Sequence, residues 1–251
     1  MRVLIIGDVH GQHERLADLL RRERASHGIA AAIQVGDYGF DRHMAGRHPP
    51  YPVPVHVIDG NHEDHGWLQK ALDAGAPARW RAHLNLVYQP RPSVARIGET
   101  TVGFIGGALH VDRPQRHNRT AGLPNYILRR QADAAIALFN EARPSLIVSH
   151  SCPSRIGIGL SGADELMGGV IDHIVSAGFD PGPREDCGEA ELSRVWQALV
   201  YRPQAWVFGH HHRAHATTVD DTHFVCVGDL DVSEATSVVW DTEAGSLSAL
   251  R

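Results

Sequence analysis

"VLIIGDVHG", residues 3–11, joins four apolar residues to a glycine, then to an aspartate and a histidine two positions apart. The apolar run reads as a strand. Gly7 permits the tight turn that lets short side chains, Asp8 and His10, point back over the strand end. The stretch that follows, "HERLADLLRRERA" (13–25), sets Leu16, Leu19 and Leu20 on one face with charges opposite, as in an amphipathic helix. His13, at its start, is expected on the exposed side.

The same unit recurs. "AAIQV" (31–35), "VHVI" (55–58), "TVGFI" (101–105), "LIVS" (146–149), "AWVF" (205–208) and "HFVCV" (223–227) are further strand candidates. "RRQADAAIALFNEA" (129–142) and "AELSRVWQAL" (190–199) repeat the helical pattern. Strands alternating with helices predict an α/β fold with helices packed outside the sheet. The late stretches "HFVCVG", "TSVVWD" and "LSAL" look antiparallel, which favours mixed sheets, or two stacked sheets, over one parallel sheet. Residues 38–54 with four prolines, the Arg-rich 110–125 and the Gly-rich 152–169 read as long loops of functional interest. No internal repeat or linker divides the chain, so one domain over 1–251 is expected.

Composition narrows the class. The chain has 251 residues, 43% apolar and 21% charged, an ordinary globular mix. A net charge of -5 and a pI near 6.4 argue against a broad basic face for duplex DNA. Cys152, Cys187 and Cys226 are scattered and form no CxxC pair, so no disulfide framework is expected. The opening apolar run is too short for a signal peptide, and no stretch reaches membrane-spanning length. A cytoplasmic protein without membrane attachment is the expectation.

Five strand candidates end in potential ligands: Asp8 and His10, Asp37, Asn61 and His62, His150, and His210 to His212. Singly, such an aspartate is a helix cap or an Asx turn, and such a histidine is only polar. Jointly they could converge, because the ligand crevice of an α/β sheet lies at the carboxyl ends of its strands. Asp8, His10, Asp37, Asn61, His150, His210 and His212 offer seven nitrogen and oxygen donors without a thiolate. That is too many for one structural zinc and too nitrogen-rich for calcium or magnesium. It suits two divalent transition ions, Mn2+ first, with Fe or Zn as alternatives. In "VFGHHHRAH" (207–215), an extended chain would put His210 and His212 on one side and His211 on the other.

"GDVHG" (7–11), "GD" (36–37), "GNHE" (60–63), "SH" (149–150) and "GHHH" (209–212) together resemble, in order, the motifs of the calcineurin-like metallophosphoesterase superfamily. The resemblance implies a four-layer αββα sandwich of two stacked mixed sheets, with a binuclear centre at the strand ends. It implies Asp8, His10 and His212 on one ion, Asn61, His150 and His210 on the other, Asp37 bridging, and His62 as the acid beside the substrate. The implied reaction is hydrolysis of phosphodiesters or phosphomonoesters, small molecules or nucleotides, by a metal-activated hydroxide. Nuclease action on DNA or RNA is the alternative, with a non-catalytic scaffold third. The branch that the arrangement resembles is that of the small bacterial and phage phosphoesterases.

At the second motif, "GDYGFDRH" (36–43) displaces by one residue the Asp-Arg pair of the phosphoprotein phosphatases, which disfavours a Ser/Thr phosphatase. Asp41 and Arg42 are thereby open candidates for orienting His62 and meeting a phosphate oxygen. Arg113, Arg116 and Arg119 are candidates for phosphate contact, though solvated loop arginines read the same way. His65, His173 and His215 are expected to be polar bystanders.

Overall fold

The computed structural model describes residues 1–44, 48–109, 123–156, 188–212, 214–230 and 237–249. Two six-stranded sheets stack face to face. In the first, β1 (Arg2–Ile6), β2 (Ile29–Gln34), β3 (Val55–Val57) and β4 (Leu86–Tyr88) run parallel, and β11 (Val238–Asp241) pairs antiparallel to β1 and to β12 (Ser246–Ala249). In the second, β6 (Thr100–Ile105), β7 (Leu146–Ser149), β8 (Ala205–Phe208) and β10 (Thr222–Cys226) run parallel, flanked by antiparallel β5 (Ser93–Ile97) and β9 (His215–Val219). The strand orders are β12-β11-β1-β2-β3-β4 and β5-β6-β7-β8-β10-β9.

Strand alternation explains the layering. Val3 and Ile5 of β1 point into the space between the sheets, where Val102, Phe104, Val148 and Val207 of the second sheet meet them. Leu4 and Ile6 point the other way, onto Leu16 and Leu20 of α1 (His13–His27) and onto the layer of α2 (His65–Asp73) and α3 (Ala76–Leu84). On the far side, Ile147, Trp206 and Phe208 pack against Phe139 of α4 (Arg129–Ala142) and Trp196 of α5 (Ala190–Ala198). A strand with helices on one face and a second sheet on the other must be apolar at every position, and β1, β7 and β8 are nearly or wholly so. The four-layer αββα arrangement follows.

Several local expectations change. Helices α2 and α3 lie where no element was expected: "HGWLQKALD" and "APARWRAHL" are short and weakly periodic. Asp64 caps α2 by accepting from the Trp67 amide at 3.0 Å, and Gly75 enters α3 at a φ of 70°. The short edge strands β4, β5 and β9 were not anticipated either. His13 is buried, not exposed: its ring lies 4.6 Å from Tyr38 and stacks 5.0 Å from His48. Residues 110–122 and 157–187, which include Arg113, Arg116, Arg119, His173 and Cys187, lie outside the described residues.

Candidate metal centre

Every ligand candidate follows the carboxyl end of a parallel strand. Asp8 and His10 follow β1, Asp37 follows β2 and Asn61 follows β3, all in the first sheet. His150 follows β7, and His210 and His212 follow β8, in the second. The loops interlock: Val9 and His10 donate their amides to the Asp37 carbonyl at 3.1 and 2.7 Å, and Gly209 donates to the His150 carbonyl at 2.9 Å.

Ligand atoms of Asp8, His10 and His212 lie within 4.8 Å of one another, and those of Asp8, Asp37 and His150 do likewise. His212 Nε2 is 2.9 Å from Asp8 Oδ2 and 3.3 Å from His10 Nε2. His150 Nε2 is 3.3 Å from Asp37 Oδ1 and 3.0 Å from Asn61 Oδ1. The His210 ring stands 5.0 Å from that of His150, and its amide donates to Asp8 Oδ1 at 3.2 Å. The seven residues thus adjoin one another, although His210 belongs to neither close group. Asp8 is common to both close groups, whereas Asp37 belongs to the second alone. The His62 ring lies edge-on to His10 at 5.6 Å, and its amide donates to Asp37 Oδ1 at 2.8 Å.

The expected extended register of 209–212 is corrected. The strand stops at Phe208, and His210 and His212 adopt left-handed φ values of 68° and 49°. Two such reversals, and not alternation, bring both rings into the crevice. His211 turns the other way, with Nε2 3.7 Å from Cys152 Sγ. His10 and Asp37 also sit at positive φ, 48° and 52°. Backbone strain of about 1–3 kcal/mol per residue concentrates at functional sites, and here it falls on four ligand candidates.

The glycines between strand and ligand are spacers as much as turns. A Cβ on Gly60 would collide with Asp37 and His150, and one on Gly209 would collide with Asp8 Oδ1. A Cβ on Gly36 would strike the His150 ring.

Charge balance describes what the cluster lacks. Burial opposes ionisation of Asp37, but the His150 charge beside it holds its carboxyl well below the usual range. Burial likewise opposes charging His150, yet Asp37 and Asp8 push it up to about 10. The hydrogen bond to Asp8 raises His212, whereas burial and the neighbouring His211 and His150 keep His210 low. The upward shifts of His150 and His212 thus come from the carboxylates of Asp37 and Asp8 beside them, where a divalent ion would supply the positive charge in their place. Asp37 Oδ2 and His210 Nε2 are buried without a hydrogen-bond partner among the described residues. Such orphan atoms are costly unless a ligand satisfies them. The nitrogen-and-oxygen donor set and the orphaned atoms fit transition-metal ions.

Several supporting residues escaped the sequence reading. Glu63 is buried and accepts from the amides of Tyr38, Gly39 and Phe40 at 2.8, 2.9 and 2.6 Å, tying the "GDYGF" loop to the "GNHE" loop. Burial and the nearby Asp37 push its carboxyl up to about 8. Asp229 Oδ2 lies 3.1 Å from His212 Nδ1, and the Val35 carbonyl lies 2.8 Å from His150 Nδ1. Partners of this kind fix the tautomer and orientation of a ligating imidazole. "GD" at 228–229 was the available signal for Asp229, but it carries no meaning without the fold.

Asp41 and Arg42 both engage His43: Asp41 accepts its amide at 2.7 Å and Arg42 Nε donates to its ring at 2.9 Å. His65 is buried 3.9 Å from Asp59, and burial pushes its pKa down to about 4. His215 Nε2 lies 3.4 Å from the Ile156 carbonyl.

A family model described as calcineurin-like phosphoesterase matches residues 1–214. No curated protein matches the chain significantly. Among solved structures, TT1561 of Thermus thermophilus is similar at 13% identity and a TM-score of 0.60, covering 100% of this chain and 98% of that one. A Staphylococcus aureus protein provisionally assigned as a 5'-nucleotidase, solved with alpha-ketoglutarate, gives 14% identity and a TM-score of 0.54, over 99% of this chain and 52% of that one. GAP50, the anchor in the inner membrane complex of Plasmodium, gives 10% and 0.51, over 100% and 88%. At these identities the likeness is one of fold.

Proposed function

The chain belongs to the calcineurin-like phosphoesterase family, and from that premise we propose that it is a binuclear metal-dependent hydrolase of small phosphodiesters or phosphomonoesters, nucleotides included. The observation that carries this reading is the convergence of seven nitrogen and oxygen donors from five strand ends, with Asp37 Oδ2 and His210 Nε2 buried and without a hydrogen-bond partner among the described residues. Asp8, His10 and His212 would hold one divalent ion and Asn61, His150 and His210 the other, with Asp37 between them. Mn2+ is the first choice, Fe or Zn the alternatives. When bound, such ions polarise phosphoryl oxygens and lower the pKa of water.

The chain's own residues supply the rest. His62, beside His10 and outside both close groups, protonates the departing oxygen. Its backbone is anchored to Asp37, so the acid and the ligand keep a fixed relation. Asp229 and Val35 hold the His212 and His150 rings with Nε2 turned inward. Glu63 fastens the two loops from which Asp37, Asn61 and His62 project.

Two wider readings accompany the activity. Residues 1–251 are taken as one domain, because β11 and β12 complete the sheet that β1 begins. A cytoplasmic location accompanies this reading, in keeping with three scattered cysteines that form no CxxC pair; no described helix is long and apolar enough to cross a membrane.

The test is a substrate panel with added Mn2+: p-nitrophenyl mono- and diesters, cyclic and linear nucleotides, phosphoprotein and single-stranded DNA. Turnover of the small esters is expected. A strong preference for DNA that collapses as salt rises would replace this reading with nuclease action, and no turnover of any ester with metal bound would overturn it.

A further inference from the structure

A second concave site shares no lining residue with the candidate metal ligands. Helices α2 and α3 flank an open cavity of about 570 Å³ whose lining includes Trp67, Trp80, Leu84, Lys70, Arg79 and His83. Its volume falls within the range of about 300–1,000 Å³ that takes small ligands.

Its floor is aromatic. Phe40 and Trp80 stack at 5.2 Å and 29°, and Trp80 and Trp67 stack at 6.1 Å and 24°. Phe40 and Trp80 are buried and Trp67 is only partly so, and both tryptophans line the cavity. Tryptophans lining a cavity suit a flat aromatic ring as its occupant, a pairing that aromatic side chains favour.

Its rim is cationic. Lys70, the protein's only lysine, is exposed, as are Arg79 and His83. Among the described residues none of the three pairs with a carboxylate, while Asp73, the acid nearest Lys70 in sequence, is held by Gln69 at 2.8 Å. The charged and titratable residues of α3 are all basic, in a chain of net charge -5. Unpaired cations around an aromatic floor complement an anion that carries a ring.

A basic helix with tryptophan is also a pattern for membrane surfaces. That pattern needs apolar side chains that protrude. Here Trp80 is recessed, and the one strongly exposed large hydrophobic among the described residues is Val200, which does not line this cavity. The concavity favours a small ligand over a bilayer.

We infer that the cavity between α2 and α3 is an accessory site, separate from the metal centre, for a flat aromatic anion of mononucleotide size. The probe is the phosphonate analogue of AMP in which a methylene replaces the ester oxygen, so that hydrolysis does not intervene. Binding to the full-length, metal-loaded protein is followed by calorimetry and by tryptophan quenching. Lys70→Glu combined with Arg79→Glu should weaken this binding event by about tenfold or more, with hydrolysis of p-nitrophenyl esters and the circular dichroism spectrum unchanged. His10→Ala should leave it intact. Adenosine and ribose 5-phosphate, each lacking half of the ligand, should bind more weakly than the analogue. The inference is overturned if charge reversal leaves binding unchanged, if no binding appears at millimolar analogue, or if decanoate or anionic vesicles show the same charge-dependent binding as the analogue.

Discussion

His210, His211 and His212 are identical in chemistry and differ in what the backbone does with them. His210 is buried against His150, His212 touches Asp8, and His211 faces Cys152. His210→Ala and His212→Ala should each lose a bound ion and about 10²-fold or more of the rate, since the loss of one orienting partner alone costs about 10–100-fold. His211→Ala should keep both ions and a large share of the turnover; loss of an ion there alone would show the assignment wrong by one residue. Asp229→Asn should lower metal affinity, because the His212 ring loses its carboxylate partner. His62→Asn should cost about 10²- to 10⁴-fold on esters with poor leaving groups and far less on p-nitrophenyl esters; equal losses would assign His62 to binding. The ligand candidates were legible because the motifs name them. The left-handed turns that aim them were not, since positive φ in a histidine has no sequence mark.

At the scale of elements, the site depends on glycine between strand and ligand. Gly60→Ala would drive a Cβ into Asp37 and His150, two of the residues that must approach most closely. Overpacking of this kind costs about 1–3 kcal/mol, and metal affinity should fall further than stability does, which a paired metal titration and melting curve would measure. A variant that binds Mn2+ normally would mean that the loops yield more easily than their hydrogen bonds suggest. The long parallel strands and helices α1, α4 and α5 were readable from periodicity, being buried on one stripe or on both faces. Helices α2 and α3 were not. Nine residues each, they are fixed by packing of Leu68 and Trp80 onto the first sheet, a tertiary effect that local pattern does not encode.

Across the whole molecule, the candidate ligands come from both sheets: four from the first and three from the second. An ion bound by them would therefore fasten one sheet to the other, and ligand-linked stabilisation reaches about 2.7 kcal/mol at a hundredfold excess over Kd. The melting temperature of stripped protein should rise by several degrees with Mn2+ and much less so in His10→Ala, as read by scanning calorimetry.

Stability should also respond to acid through His65, which burial holds near 4 against an ordinary 6.5. Below pH 6.5 the unfolded chain takes a proton that the folded one refuses, so this contribution is lost as pH falls from 6.5 towards 4, by at most about 1.4 kcal/mol per pH unit. Glu63 and Glu189, pushed up to about 8 and about 7, act oppositely, and stability from them grows as pH falls towards 4.5. Comparing denaturant unfolding of the protein with His65→Gln isolates the histidine: the variant should lose less stability between pH 6.5 and 4, and identical slopes would refute the assignment.

The central claim, a two-ion hydrolytic centre shared by the two sheets, meets its most direct test in metal content measured beside turnover. The protein is stripped with chelator, reconstituted, and assayed by elemental analysis and by hydrolysis of bis(p-nitrophenyl) phosphate. The account predicts an inactive stripped protein that recovers with two bound ions per chain, more fully with Mn2+ than with Mg2+, which an imidazole-rich site disfavours. Full activity in exhaustive chelator, with no ion bound, would contradict it.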